Sequence, residues 1–200
     1  MHSMPEPPPI RTPRLVLKVA SAAQLRASLS EPSSFAPTVG CAVAPDWPPK
    51  YWEQGPVDWL VARMTEQPDE VFWRGWFIYR CQDAASDLLV GTAGFKGPPG
   101  GSGSETDGVV EVGYGVVTSH WRRGIASEAV GGLLAWAAGD PRVRAFRAHT
   151  LAGDPASGGV LLKNGFVRTA TISDPEDGEI DRYERSLGGR RAETSRSGVE

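Results

Sequence analysis

One stretch constrains the chain more than any other: Val109 to Val117 (VVEVGYGVV) passes through a short polar turn, Thr118 to Gly124, straight into an apolar-striped helix. Alternation puts Val110, Val112, Tyr114 and Val116 on one face of the strand and Glu111, Gly113 and Gly115 on the other. A strand face that carries glycine admits close approach by another group. Ile125, Ala129, Leu133, Trp136 and Ala137 then recur at helical spacing, and Gly139-Asp140-Pro141 is a helix stop. A strand that feeds a helix so directly, with a further strand expected over Arg142 to Leu151, points to a mixed α/β domain with a parallel crossover.

The turn itself suggests chemistry. The first amides of a helix have no intrahelical partner and sit at the positive end of its dipole, so a turn bearing Gly124, Arg122 and Arg123 suits a pyrophosphate. An ordinary strand-to-helix connection with exposed arginines is the alternative. Two standard nucleotide motifs fail: there is no Gly-Lys dipeptide for a P-loop, and Gly113-x-Gly115 is followed by Thr118 where a dinucleotide fingerprint needs glycine.

Around this unit, Arg14 to Val19 reads as a strand, and a helix capped by Ser21 runs to about Ser30. Repeated prolines from Glu31 to Pro49 argue against regular structure there, and a helix follows from about Pro56 to Gln67. Phe72 to Cys81 and Leu88 to Lys96 read as a hairpin joined by the polar loop Gln82 to Asp87, and Gly97 to Asp107 is a surface loop. Beyond the Arg142 strand come a short helix from Pro155 to Asn164 and strands over Phe166 to Ile172 and Glu179 to Ser186. The expected organisation is a flexible lead over 1–12, one domain over 13–187 and a disordered tail over 188–200.

Composition excludes several classes. The longest nearly apolar run, Ala129 to Gly139, is far short of the ~18 residues of a membrane span, and the Pro-rich start lacks the pattern of a secretory signal, so a cytoplasmic location is expected. Cys41 and Cys81 fit neither a disulfide framework nor a zinc site; no metal is expected. A net charge of −3 argues against nucleic acid as a partner.

Trp121-Arg122-Arg123-Gly124-Ile125-Ala126 resembles the R/Q-x-x-G-x-G/A acetyl-CoA signature of the GNAT superfamily of N-acetyltransferases. Three further matches occur in the right order. Glu111-Val112-Gly113-Tyr114 is similar to the E-[IV]-G-Y strand of the branch that includes the ribosomal-protein N-terminal acetyltransferases, and Arg11 to Leu17 (RTPRLVL) resembles its opening R-T-x-R-L-x-L. Asp154 to Ser157 with Leu162 to Phe166 (LKNGF) resembles its N-x-x-S and x-K-x-G-F pattern. The resemblance implies a single GNAT-like domain: a mostly antiparallel sheet of six to seven strands with a splayed parallel pair, flanked by about four helices.

It also implies a site. Backbone groups of Val116, Val117 and Thr118 would run beside the pantetheine arm, the amides of Arg122, Arg123, Gly124, Ile125, Ala126 and Ser127 would cradle the pyrophosphate, and Asp154 and Ser157 would face the thiol end. Glu111 is the candidate general base, with pairing to a neighbouring arginine such as Arg147 as the alternative. Ser157 is the candidate acid. Three positions depart from the family pattern: Trp121 replaces the leading Arg or Gln, Asp154 replaces Asn, and Leu161 stands where some relatives carry a Tyr as general acid. Asp154 also suits the role of a plain helix cap. His120 reads as a turn residue and His149 as a sheet-surface residue.

Five of the 7 tryptophans, Trp47, Trp52, Trp59, Trp73 and Trp76, crowd one short segment. They would line an acceptor cleft or serve as core and dimer surface. The expected activity is acetyl transfer from acetyl-CoA directly to a primary amine, a small molecule or a peptide N-terminus. A degenerate acyl-CoA-binding sensor and a homodimerising module are the rivals.

Overall fold

Apolar alternation draws nine strands into one twisted sheet in the computed structural model, which describes residues 7–83, 86–100, 108–175 and 177–188. The strands are β1 (Ile10–Arg11), β2 (Leu15–Val19), β3 (Ala42–Val43), β4 (Trp76–Asp83), β5 (Ser86–Phe95), β6 (Val109–Val116), β7 (Ala145–Leu151), β8 (Val167–Asp174) and β9 (Gly178–Ser186). The helices are α1 (Ala22–Ala27), α2 (Pro32–Val39), α3 (Gln54–Glu66), α4 (Ile125–Ala137) and α5 (Pro155–Lys163), with 3-10 turns at Pro68–Trp73 and Thr118–His120. Strand order is β1-β2-β4-β5-β6-β7-β9-β8, with β3 alongside β5. Neighbours are antiparallel except β3 with β5 and β6 with β7.

The mixed α/β fold, mostly antiparallel with a parallel pair, is as expected; the element count is higher. Glu31 to Pro49 is not irregular, because Pro32 occupies a first-turn position where its missing N–H costs nothing. The two-turn helix persists past Pro37 because fully buried Phe35 packs at 5.6 Å on Trp47 and 5.8 Å on Phe77, and left-handed Gly40 (φ 70°) ends it. The expected hairpin begins later: Phe72 and Trp73 belong to the 3-10 turn, and the connecting loop is shorter, since β4 and β5 extend to Asp83 and Ser86. The expected lead reaches into the sheet, where Ile10 and Arg11 pair with Leu17 and Val16. Residues 1–6, 84–85, 101–107 and 189–200, which carry most of the expected lead, loop tips and tail, lie outside the described residues.

Register divides the sheet into two faces. Trp76, Ala93, Tyr114, Phe95 and Val112 share the face under α4, where Trp136 meets Trp73 at 5.0 Å and Trp76 at 5.4 Å. Phe77, Thr92, Gly115 and Gly113 share the other, covered by α2 and α3. So the glycine-bearing face of β6 looks away from α4.

Phe146 is fully buried on β7, stacked at 6.3 Å on Phe95. Phe146→Ala is expected to lower unfolding free energy in urea by about 3–5 kcal/mol. Leu162→Ala, at a position 58% exposed, should change it by less than about 0.5 kcal/mol.

Candidate functional site

The site is built on a strand with two successive partners. Val109 to Glu111 of β6 pair with Ala145 to Arg147 of β7, and from Val112 onward β6 pairs with β5 alone. Lys96 N donates to Glu111 O at 2.8 Å and Val117 N to Val90 O at 3.0 Å. Antiparallel alternation therefore turns the backbone polar groups of Val112, Tyr114 and Val116 toward the edge that β7 has left. Val117 uses its amide on β5. Trp121 Nε1 donates to Val116 O at 2.6 Å, which gives the departure at Trp121 a structural role.

At the far end of β6 the chain turns through Thr118 to His120, then through left-handed Arg122 (φ 59°) and Gly124 (φ 75°) into α4. Gly124 supplies no side-chain cap, and the amides of Arg122, Arg123, Gly124, Ile125, Ala126 and Ser127 have no partner among the described residues. Six successive amides thus stand open at a helix N-terminus, with the exposed side chains of Arg122 and Arg123 beside them.

Two clamps that sequence reasoning missed hold this loop. Asp46 accepts from Thr118 Oγ1, Ser119 N and Ser119 Oγ, each at 2.7 Å. Burial alone would raise its carboxyl, but these hydrogen bonds outweigh it and bring it down to about 2. On the other flank Glu128 of α4 accepts from Thr12 Oγ1 at 2.6 Å, Arg14 N at 2.8 Å and Arg14 Nε at 2.7 Å. Burial opposes ionisation of Glu128 too, and the Thr12 and Arg14 contacts still lower its carboxyl. Arg14 also donates to Arg123 O at 2.9 Å, so the opening motif of the chain anchors the loop. His120 is buried, and desolvation with Arg123 and Arg80 nearby pushes its ring below the usual imidazole range.

Across the opening lies α5. Asp154 caps it, accepting from Ala156 N at 2.9 Å and Ser157 N at 3.1 Å, and Ser157 Oγ donates to Asp154 Oδ2 at 2.8 Å. Burial would raise the Asp154 carboxyl, and the three bonds lower it on balance. Tyr114 Oη donates to Ser157 O at 2.9 Å, and burial drives its phenol well above the usual range. Leu161 is fully buried in the core.

On the glycine-bearing face a cleft of about 330 Å³ lies between α3 and the β5–β6 pair. Its lining includes Lys50, Tyr51, Trp52, Trp59, Lys96 and Gly113. A side chain at Gly113 would meet nothing within 4 Å, whereas at Gly115 it would come within 3.1 Å of Pro49. The open approach is therefore at Gly113. The tryptophans divide between both expected roles: Trp47, Trp73 and Trp76 are core, while Trp52 and Trp59 line the cleft. Fully buried Arg74 lies 5.4 Å from the Trp59 ring, pairs with Glu70 at 2.6 Å and donates to Lys96 O, tying wall to floor.

Glu111 borders this cleft, its side chain 11% exposed. The expected alternative partner was Arg147, which stands opposite it in register but binds Glu184 at 3.0 Å. Glu111 Oε1 instead meets Lys96 Nζ at 2.6 Å and His149 Nδ1 at 3.1 Å. His149, expected as a sheet-surface residue, is thus part of the site. Among the described residues no group of His, Cys, Asp and Glu has a metal-binding arrangement, and no helix is long and apolar enough to cross a membrane.

Comparison with known proteins bears on the fold and the family. A family model for the GNAT acetyltransferase domain matches residues 30–167. A protein assigned as a ribosomal-protein-serine acetyltransferase from Vibrio cholerae superposes with a TM-score of 0.63 at 15% identity, over 92% of this chain and 100% of that one. RimL, a ribosomal alpha-N-protein acetyltransferase solved with coenzyme A, gives 0.60 at 17% identity over 90% and 98%. The microcin self-immunity acetyltransferase MccE, solved with acetyl-CoA and AMP, gives 0.58 at 10% identity over 88% and 94%. No curated protein matches the sequence.

Because the Asp46 carboxyl titrates at about 2 in the folded chain against an ordinary 3.8, its contribution is fully present above about pH 4 and is lost as pH falls toward 2. Asp46→Asn is expected to cost about 1–2 kcal/mol at pH 7. In denaturation series from pH 7 to pH 2.5 the gap to the parent protein should narrow steadily below pH 4.

Proposed function

The chain belongs to the GNAT acetyltransferase family, and on that premise we propose that it transfers an acetyl group from acetyl-CoA directly to a primary amine, of a small molecule or a protein N-terminus. The observation that carries the reading is the run of open amides from Arg122 to Ser127 beside the gap between β6 and β7. These amides and the Arg122 and Arg123 guanidiniums fit a pyrophosphate, the charge-assisted contacts being about twice as strong as neutral ones. Val116, Val117 and Thr118 line the arm of the cofactor. Bound there, acetyl-CoA supplies the acyl group as a thioester.

Val116 N–H, on the edge β7 has left, donates to the acyl oxygen and stabilises the charge that develops on it. Glu111 accepts the proton of the attacking amine. Both of its ion-pair contacts fall on Oε1, which orients Oε2 for that task. Ser157, whose hydroxyl stands on the first turn of α5, returns a proton to sulfur, and Tyr114 Oη holds that turn by donating to Ser157 O. Asp154 serves this end of the site by fixing Ser157. Thr92, Gly94 and Gly113 leave the amine a path to Glu111 from the cleft.

Turnover of acetyl-CoA over a panel of amines and peptide N-termini tests this, with CoA binding followed by calorimetry. Glu111→Gln is expected to lower kcat by about 10²- to 10⁴-fold while CoA still binds. Full rate in that variant across the pH range removes Glu111 as the base. Tight CoA binding without turnover on any amine would favour an acyl-CoA sensor, and no CoA binding would overturn both readings.

A further inference from the structure

Two buried nitrogens without partners face the acceptor side of the sheet. His149 and Arg182 stand directly opposite each other in the β7–β9 register, one strand spacing of about 4.8 Å apart. Both lie on the Glu111 face, as the Arg147–Glu184 ion pair two residues along the same strands confirms. His149 Nδ1 is engaged by Glu111, while its Nε2 is buried and makes no hydrogen bond. Arg182 Nε is buried and unbonded as well, and no side-chain hydrogen bond or ion pair holds its guanidinium among the described residues.

Neighbouring arginines on these strands are all engaged. Arg147 has Glu184, Arg168 has Asp181, and Arg185 donates to Asn164 O beneath the ring of Phe146. A guanidinium cannot shed its charge, so a half-buried one without an acceptor is costly unless an anion completes it. With Nδ1–H on Glu111, a second proton on the His149 ring would make Nε2–H a further donor toward the same place.

The cleft agrees in sign. Lys50 and Lys96 line it, Lys96 being paired at 2.6 Å with Glu111 at its border, and no Asp or Glu is in the lining among the described residues. A polycation would meet the like charge of Lys50 there, whereas an oxyanion finds a complementary one.

From these observations we propose that Arg182 and His149 form an oxyanion subsite for the acceptor, so that the amine acetylated also carries a carboxylate or phosphate a few bonds away. This rests on the acetyl-transfer reading and adds the class of acceptor to it. The amine lies at Glu111, 3.1 Å from His149, and the anion lies one strand farther, at Arg182. Trp52 and Trp59 wall the neighbouring cleft, over β5 and β6.

Matched acceptors test the subsite: tryptophan against tryptophanamide for the carboxylate, phosphoethanolamine against ethanolamine for the phosphate, and spermidine as polycation. For at least one pair the anionic member is expected to exceed its neutral mate by about tenfold in kcat/KM, and the pair that does so identifies the anion. Arg182→Gln should collapse that ratio, chiefly through KM, Arg182→Lys should restore part of it, and Arg168→Gln, on the opposite face, should keep it. CoA affinity unchanged by calorimetry shows that the Arg182 variants are folded. Neutral mates or spermidine turned over as well as the anionic acceptors, or a ratio that survives Arg182→Gln, would overturn the subsite alone. No turnover of any acceptor overturns the acetyl-transfer reading and the subsite with it.

Discussion

The division of β6 between two neighbours is the constraint on which the rest depends. A strand has two edges, and β6 gives one of them to β7 for only three residues. Past Glu111 that edge is open, and its carbonyls and amides must find other partners or remain unsatisfied. An indole N–H from Trp121 takes Val116 O at 2.6 Å. A buried carbonyl left alone costs about 1–3 kcal/mol, so a residue that departs from the family signature fills a structural need created by the splay. The same gap leaves Val116 N–H facing outward and brings His149, which would otherwise sit beside a paired strand, within 3.1 Å of Glu111.

An open edge and a run of open amides make a loop that cannot hold itself. Its order is imposed from distant parts of the chain: Asp46 from the segment before α3, and Thr12 with Arg14 from the first strands, through Glu128. Both clamps are carboxylates that accept three hydrogen bonds each. Charge-assisted bonds of this kind fix geometry more tightly than neutral ones. Apart from Ser119 N, which Asp46 takes, they leave the loop's amides untouched. The opening R-T-x-R resemblance thereby acquires a physical content that its residues alone did not carry.

What was legible in the sequence was periodicity and punctuation. The strand at Val109, the helix at Ile125 and the stop at Gly139 follow from spacing alone, and Ser21 caps α1 as expected, in a capping box with Gln24. Helix α2 was not legible, because its reason is the burial of Phe35 against Trp47 and Phe77, a contact made across the fold. The partner of Glu111 was misread for a related cause: register with β7 puts Arg147 opposite, but β9 brings Glu184, which takes Arg147 away. Asp46 has no motif around it, and the tryptophans could not be sorted between core and cleft until α3 and β4 were set in space. Pairwise spacing is readable from one sequence; competition among three strands is not.

The two helices that begin at the splay differ in how their first turns are satisfied. Asp154 closes the first turn of α5 by accepting from Ala156 and Ser157, and so leaves little for an anion there. Helix α4 begins at a left-handed glycine that offers no side chain, with two arginines before it. A cap at that position is worth about 1 kcal/mol, and Ser, Thr, Asp or Asn would supply it. Its absence at α4, shared with α2 and α3, leaves the first-turn amides free for the pyrophosphate on the proposed reading. An anion that completed α4 would also neutralise Arg122 and Arg123. On the proposed reading stability and binding draw on different helix ends, and the Asp154 that departs from the family pattern caps α5.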